Sequence, residues 1–394
     1  MTPLGPARPE IELMLACARA RLDDERAARV RTLAEGPLDW KLLLEVAPRH
    51  GLVPLLYTHL AAAARDAVPT DVMQALRERV RANAGRAMLT VGTLHRLIDI
   101  LDAAGIAAMP YKGPALAMQA YGSVTLRQAG DLDILVRRGD AIRAGEVLAA
   151  DGWTAQYALS PARQRAFVRH GYAHAFTRPG EPMVELHWAL AQPFFGFHVD
   201  LDSLWPRLVR VALPPRQVLA PAPEDLLLIL SVHGIKHMWE RLEWIASATE
   251  VARSGDIDLA RALDEAARIG CERMVLLALR LGRDLLGAPL PSAIDARASS
   301  PSLAPLVERV WARLGRLEMA EAGGGELFRF QLGARERWRD RLAYLAGLPL
   351  ATTPDDWAAH PLPEPLAFLY PATRVMRLGT EHVIAPLRRA LGRG

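Results

Sequence analysis

Apolar residues recur every three or four positions through the first part of the chain, which is the spacing of one face of an amphipathic helix. The pattern is regular at 11–17 and again at 42–46. A longer stretch at 88–104 predicts a helix that ends at Gly105, because glycine is favoured just after a helix C-terminus. The spacing therefore predicts an N-terminal helical region over residues 1–104.

The pattern changes after Gly105 into short apolar runs, which are separated by turn residues and by helical stretches such as 141–150. Runs of this kind predict β-strands. The strands are expected at 106–111, 131–136, 153–158, 172–177 and 183–189. Strands interleaved with helices over so short a stretch favour one small α/β or α+β domain, over residues 105–205.

A cluster of prolines then indicates a connection between regions. Its members are Pro214, Pro215, Pro221 and Pro223. Beyond them the apolar spacing is again helical, which predicts a C-terminal helical region over residues 206–394. The expected fold class is α+β, with a small mixed sheet flanked by N- and C-terminal helical regions.

The composition excludes several classes of protein. Of the 394 residues, 51% are apolar and 23% are charged, so the chain can bury a core and is not disordered as a whole. The net charge is only +4, which permits a phosphate-rich partner without requiring one. Cys17 and Cys271 have no Cys or His beside them at metal spacing, which indicates a reducing compartment.

Membrane and export signals are not expected. No apolar run approaches the roughly 20 residues that a membrane-spanning helix needs. The first ten residues contain three prolines and no apolar stretch of the signal-peptide type. We therefore expect a cytoplasmic protein without a membrane partner.

Three carboxylates carry the candidate chemistry. Asp131 and Asp133 are two residues apart on a predicted strand, so both should project from the exposed face of the sheet. Adjacent carboxylates repel each other unless a cation lies between them, and Mg²⁺ (or Mn²⁺) is the usual ion, often completed by nucleotide phosphates. Glu185 supplies a third carboxylate from another strand, with His187 on the same face.

Each of these residues also has a structural interpretation. Asp131 can cap a turn, and Asp133 can pair with a nearby arginine. Glu185 can lie at a strand edge in an ion pair, and His187, beside a tryptophan, can belong to the core. The ensemble of these residues, rather than any one of them, favours a metal site.

Two basic residues extend the same segment. Lys112 lies at the end of the first predicted strand, next to Gly113, which lets a ligand approach the backbone. Lys112 can bind a phosphate as a point charge or be a surface lysine. Arg127 can contact phosphate oxygens or form a salt bridge to Asp131.

Together these residues form a series of short motifs. They are Lys112-Gly113-Pro114-Ala115-Leu116, Tyr121-Gly122, Arg127, Asp131-Leu132-Asp133 and Glu185-Leu186-His187-Trp188. The series resembles the nucleotidyltransferase-fold proteins, in particular a bacterial branch of uncharacterised nucleotidyltransferases with a Lys-Gly turn. The resemblance extends to residues 39–56 and to 233–244.

The resemblance implies a nucleotidyltransferase-like core at 105–205 and an enzyme that transfers a nucleoside monophosphate from an NTP to an acceptor hydroxyl or phosphate, releasing pyrophosphate. The implied catalytic and metal-binding residues are Asp131, Asp133 and Glu185. The implied nucleotide-binding residues are Lys112, Gly113, Arg127 and His187. A γ-phosphoryl transferase and a non-catalytic nucleotide-binding module stay open as alternatives. The acceptor can be a small molecule, a peptide or, less favoured, tRNA.

Two positions depart from the pattern of the family. Gly113-Pro114 stands where the wider superfamily has Gly-Ser or Gly-Gly, which removes one backbone N–H from the turn. Lys112 and Arg127 are expected to bind the phosphate in place of that N–H. Ser247 stands where the branch tends to have an aspartate.

A second group of polar residues lies beyond the proline cluster. His233 and His237 are four residues apart, a spacing that can bind zinc, but Gly234 stands where the zinc-protease motif needs a glutamate. We expect no zinc, and instead a polar wall that faces the cleft or packs. Trp239 and Trp244 are expected in the core.

Overall fold

Helices make up most of the computed structural model, and one small mixed sheet lies among them. The structure describes residues 8–195, 201–315, 323–350, 362, 366 and 369–380. The α+β class expected from the sequence is confirmed. The end of the predicted C-terminal region, 381–394, lies outside the described residues.

The first part of the chain is helical, as the apolar spacing predicts. The helices are α1 (Pro9–Cys17), α2 (Asp24–Ala34), α3 (Trp40–Arg49), α4 (Val53–Ala63) and α5 (Thr70–Ala103). Asp23 and Asp39 directly precede α2 and α3 and cap them, because their carboxylates accept hydrogen bonds from N–H groups of the first turn. The stretch predicted at 88–104 is the second half of α5, which ends before Gly105, a glycine with φ of 68°.

The sheet region alternates strands and helices. Its elements are β1 (Ala108–Pro110), α6 (Gly113–Tyr121), β2 (Leu132–Val136), α7 (Ala141–Ala150), β3 (Thr154–Ala155), α8 (Pro161–His170), β4 (Ala173–Thr177) and β5 (Val184–His187). The strand order is β1-β2-β5-β4-β3. Only β2 and β5 run parallel; the other pairs of the sheet are antiparallel. All five predicted strands are present, each shorter than its apolar run.

The proline cluster corresponds to a β-hairpin. Strands β6 (Val209–Leu213) and β7 (Arg216–Ala220) pair antiparallel and pack against α6 and β1. The prediction that the chain is helical again from residue 206 was therefore wrong at its start. Val211, Leu213 and Val218 are buried between exposed neighbours, a period of two. Pro214 and Pro215 occupy the turn of the hairpin, where no ladder N–H is needed, and Pro221 and Pro223 follow it.

Helices complete the described chain. They are α9 (Pro223–Lys236), α10 (Leu242–Ala252), α11 (Leu259–Ile269), α12 (Glu272–Leu286), α13 (Ser292–Ala298), α14 (Ala304–Leu314), α15 (Gly324–Gly333), α16 (Trp338–Leu350) and α17 (Tyr370–Gly379). Helices α9 to α15 share one apolar core with α1 to α4. The two predicted helical regions therefore pack against each other. None of the described helices combines the length and hydrophobicity that a membrane span requires.

The two faces of the sheet differ in chemistry. On the back face, Leu132, Ile134 and Leu186 belong to an apolar core that includes side chains of α5 and α7. On the front face, Leu135 belongs to a small core that includes Ile229 of α9. Successive residues of a strand face opposite sides, so Asp133 of β2 and Glu185 and His187 of β5, which alternate with these apolar residues, lie on the front.

The glycine of the His-Gly-x-Lys-His segment allows a stability prediction. A Cβ added at Gly234 would lie 2.1 Å from Cε2 of Trp239, whose side chain is fully buried. Gly234→Ala should therefore lower the free energy of unfolding by about 3 kcal/mol, because overpacking displaces a core residue. The measurement is urea unfolding monitored by circular dichroism.

The matched control is the same substitution in α5. Gly92 is exposed, and an added Cβ would meet no atom within 4 Å. Gly92→Ala should raise the free energy of unfolding by about 0.5–1 kcal/mol, since alanine has the higher helix propensity. Effects of the same sign at both positions would contradict the packing of Gly234 on Trp239.

Candidate active site

Three polar side chains meet on the front face of the sheet. Nε2 of His187 lies 3.1 Å from Oδ1 of Asp133 and 3.1 Å from Oε2 of Glu185. The parallel register of β2 and β5 pairs Asp133 with Glu185, and His187 follows on the same face. Within the described residues, this is the one group of three or more such side chains whose metal-ligating atoms all lie within 4.8 Å of one another.

The neighbouring residues hold the histidine and leave room beside it. Ala173 and Ala175 of β4 lie opposite His187 and Glu185, so the adjacent strand carries only methyl groups there. The ring of Tyr111 meets that of His187 edge to face, with centroids 5.2 Å apart. The Tyr172 ring is also near it, with its centroid 5.8 Å away. The imidazole therefore packs against two aromatic rings.

Lys112 supplies the positive charge next to the cluster. Its Nζ donates a hydrogen bond to Oδ1 of Asp133 over 3.1 Å. Lys112 directly precedes α6, and Gly113 has a φ of 55°, a conformation that glycine adopts without strain. Pro114 lies in the first turn of α6, where a helix makes no use of the N–H that proline lacks. The departure at Gly113-Pro114 therefore leaves the helix start intact.

Lys112 and His187 favour the ionised form of the carboxylates in the cluster. Burial alone would raise the pKa of Asp133, which is 3% exposed, but Lys112 and the hydrogen bond from His187 outweigh it and lower that pKa. The hydrogen bond from His187 also lowers the pKa of Glu185, against the effects of burial and of Asp133. Both carboxylates are therefore ionised at neutral pH.

Asp131 lies beside the cluster but outside it. Its side chain is exposed, and it precedes the first residue of β2. Partial loss of hydration raises its pKa, and the negative charges of Asp133 and Glu185 raise it further. The prediction that both aspartates project from the exposed face is correct for Asp131 and wrong for Asp133, which is covered by polar partners. Residue spacing shows which side chains share a face, but not what covers that face.

Arg127 makes an ion pair that the sequence did not indicate. Its guanidinium lies 2.6 Å from Oε1 of Glu243, a buried residue of α10. Asn83 of α5 holds the same loop: its Nδ2 donates to the carbonyls of Thr125 and Arg127, and its Oδ1 accepts from Ala129 N–H. Arg127 thus ties the sheet region to the C-terminal helices, and its contact with phosphate stays a prediction. The signal in the sequence is that Asn83 is a polar residue on the otherwise largely apolar buried face of α5.

The end of α9 forms a polar wall. The rings of His233 and His237 have centroids 4.7 Å apart, and both contact the partly exposed ring of Trp244. Burial, together with the positive charges of Lys236 and Lys112, lowers the pKa of His237 to about 4. Nζ of Lys236, in the same turn of α9, lies 4.4 Å from the ring centroid of Tyr172, which is next to His187, so this wall lies beside the cluster. Trp239, by contrast, is in the core.

Ser247 has a structural partner. Its Oγ lies 3.1 Å from the hydroxyl of Tyr121, the last residue of α6, and both residues are buried. A neutral hydroxyl satisfies the tyrosine without adding a charge next to Glu243 and Arg127. Ser247, which departs from the family pattern, therefore links α10 to α6.

The donor set fits a hard divalent cation. An octahedral ion with ligands at about 2.1 Å places neighbouring ligand atoms about 3 Å apart, which matches the 3.1 Å separations around His187 Nε2. The two carboxylates suit Mg²⁺ and Mn²⁺ alike, whereas an imidazole ligand suits a transition-metal ion better than it suits Mg²⁺. The three residues on which the fit rests are Asp133, Glu185 and His187, of which the sequence assigned two as metal ligands.

The structure is thus an α+β protein whose mixed sheet carries a candidate metal site, with acidic residues on adjacent strands and a lysine next to the start of α6. Comparison with known families gives a match to the family described as uncharacterised nucleotidyltransferase, over residues 36–287. The chain belongs to this family. The match runs from α3 to α12 and includes the whole sheet and the site. No match is found among the curated proteins or the solved structures.

The buried ion pair of the site gives a second stability prediction. Lys112→Met leaves the Asp133 carboxylate buried without its cation and should lower the free energy of unfolding by about 3 kcal/mol. Lys112→Met with Asp133→Asn should cost only about 1 kcal/mol, because no uncompensated charge remains. A double-mutant cycle by urea unfolding measures the coupling.

The exposed pair Arg31–Glu35 is the control for this cycle, with side chains 52% and 55% exposed. Its coupling should stay below about 0.5 kcal/mol. The pH dependence supplies a further check. The lowered pKa of Asp133 stabilises the fold above its unfolded pKa of about 4, and this contribution is lost as the pH falls from there towards the folded pKa. Simple additivity of Lys112→Met and Asp133→Asn would contradict the ion pair.

Proposed function

We propose that this protein is a metal-dependent nucleotidyltransferase that transfers a nucleoside monophosphate from an NTP to an acceptor hydroxyl or phosphate, with release of pyrophosphate. The observation that carries the proposal is the meeting of Asp133, Glu185 and His187 beside Lys112, in a chain of the uncharacterised nucleotidyltransferase family. Carboxylates that approach this closely on two strands favour a cation site over a purely structural one.

The residues of the cluster divide the work. Asp133 and Glu185 would hold Mg²⁺ or Mn²⁺, and Asp131, exposed beside them, adds a third carboxylate when a cation favours its ionised form. The ion supplies charge neutralisation on the phosphate oxygens and lowers the pKa of a nearby hydroxyl. Before the ion binds, His187 orients both carboxylates through Nε2. Lys112 and the N-terminus of α6 add positive potential for the phosphates.

Glu185 is the candidate proton acceptor. It is more exposed than Asp133, with 32% of its side chain accessible against 3%, so an acceptor can reach it. The acceptor oxygen attacks the α-phosphorus while the bond from that phosphorus to the β-phosphate bridging oxygen breaks. The hydroxyl proton passes to the Glu185 carboxylate, and pyrophosphate leaves with the electron pair of the broken bond.

Glu185→Gln tests the assignment. The glutamine keeps the shape and removes the charge, so NTP binding should persist while turnover falls by about 10²-fold or more. The assay follows α-labelled NTP with Mg²⁺ and a small-molecule extract, a peptide pool or tRNA as acceptor. Transfer of γ-label instead of α-label would favour the phosphoryl transferase, and NTP binding without any transfer would favour the regulatory module.

Glu146→Gln is the matched control, because Glu146 is an exposed glutamate on α7 of the same sheet region. Glu181 is unsuitable as a control, since its carboxylate accepts hydrogen bonds from Thr93 and Arg96 of α5. Equal turnover of wild type and Glu185→Gln would leave Glu185 a structural residue.

Metal binding gives an independent prediction. Mg²⁺ or Mn²⁺ should bind weakly alone and more tightly with NTP, because phosphate oxygens complete the octahedral shell. Asp131→Asn with Asp133→Asn should abolish this coupling, with circular dichroism to verify that the fold is kept. Calorimetry that finds the NTP-dependent gain in metal affinity unchanged in the double variant would reject the site.

A further inference from the structure

The basic side chains around the site differ in whether they already form an ion pair. Lys112 Nζ lies 3.1 Å from an Asp133 oxygen, and Arg127 lies 2.6 Å from an oxygen of Glu243. Arg241 contacts the other oxygen of Glu243 at 3.5 Å. These three side chains already have carboxylate partners. Each can reach a phosphate only by weakening an ion pair.

Lys236 differs from these three. It lies in the last turn of α9, and within the described chain no carboxylate is found within ion-pair distance of its Nζ. Its ammonium group lies 4.4 Å from the ring centroid of Tyr172, the ring that flanks His187. Burial, together with the charge of Lys112, lowers the pKa of Lys236 to about 8, and the charges of Glu185 and Asp133 oppose this shift. Lys236 therefore reaches over the front face of the sheet, close to the acidic cluster.

The backbone at Lys236 is held in place. Gln331 donates a hydrogen bond to the Lys236 carbonyl over 2.9 Å, and the hydroxyl of Tyr344 donates to the Gln331 side chain. Met238 and Trp239 then adopt φ values of 52° and 53°, which non-glycine residues rarely do. Strain of this kind persists only where packing enforces it, and it is frequent at functional sites.

The charge balance requires another cation. A triphosphate brings several negative charges to a site that already holds Asp131, Asp133 and Glu185. A divalent metal ion held by these carboxylates offsets only part of that charge, and Lys112 already has Asp133 as a partner. We propose that Lys236 is the principal phosphate-binding lysine of this site and that Arg127 is structural; the inference rests on the proposed function. The ligand class is the pyrophosphate part of an NTP, or free pyrophosphate with Mg²⁺.

The test is calorimetric titration of the full chain with magnesium pyrophosphate, a non-hydrolysable NTP and the matching nucleoside. Lys236→Met should weaken binding of pyrophosphate and of the NTP analogue by about 10- to 100-fold, the size of one charged hydrogen bond. Affinity for the nucleoside should stay unchanged, which a general loss of structure would not allow. Lys236→Arg keeps the charge and should restore most of the affinity.

The comparison variant removes Arg127 without leaving a buried charge. Arg127→Met with Glu243→Gln should change pyrophosphate affinity by less than about 3-fold, as expected where no charged contact to the ligand is lost. Wild-type affinity in Lys236→Met, or a loss in the Arg127 and Glu243 double variant as large as that in Lys236→Met, would overturn the inference while NTP binding still supports the proposed function. Wild-type protein that binds neither NTP nor pyrophosphate would overturn both.

Discussion

The carboxylate of Asp133 is buried on the front face of the sheet, and its negative charge must be balanced where water is largely absent. Lys112 and His187 provide the balance, and each comes from a different element. Lys112 depends on the turn between β1 and α6, and His187 depends on the parallel pairing of β2 with β5. A shift of β5 by one residue would move Glu185 and His187 to the apolar back face, so this charge fixes the register.

The helices from both ends of the chain make that burial possible. Helices α5 and α7 cover the back of the sheet, while α9 covers its front and carries the polar wall. Because α9 packs in one core with α1 to α4, the front wall is positioned by helices that lie before the sheet as well as after it. The ion pair between Arg127 and Glu243 adds a polar link between these layers.

The five strands and the acidic motif could be predicted because both are local patterns: apolar runs for the strands, and spacing on one face for the carboxylates. The hairpin β6–β7 was missed because its prolines resemble a linker. Val209, Val211 and Leu213 do recur at every second position of the sequence, which is the spacing of a strand. The contacts of Asn83 and Glu243 could not be predicted, since their partners lie far away in the sequence. The burial of Asp133 depends on Lys112 and His187 together, which no single motif encodes.

The ion pair of Lys112 with Asp133 also gives a physical reason for linkage between metal and nucleotide under the proposed function. A divalent cation held by Asp133 would compete with the Lys112 ammonium for the same carboxylate oxygen, 3.1 Å away, so metal alone has to displace an existing partner. A phosphate group offers Lys112 a new anion and removes that competition. Each ligand would then favour the other, because the metal ion replaces Lys112 at Asp133 and the phosphate replaces Asp133 at Lys112. The same ion pair keeps the ligand-free fold from holding an uncompensated charge.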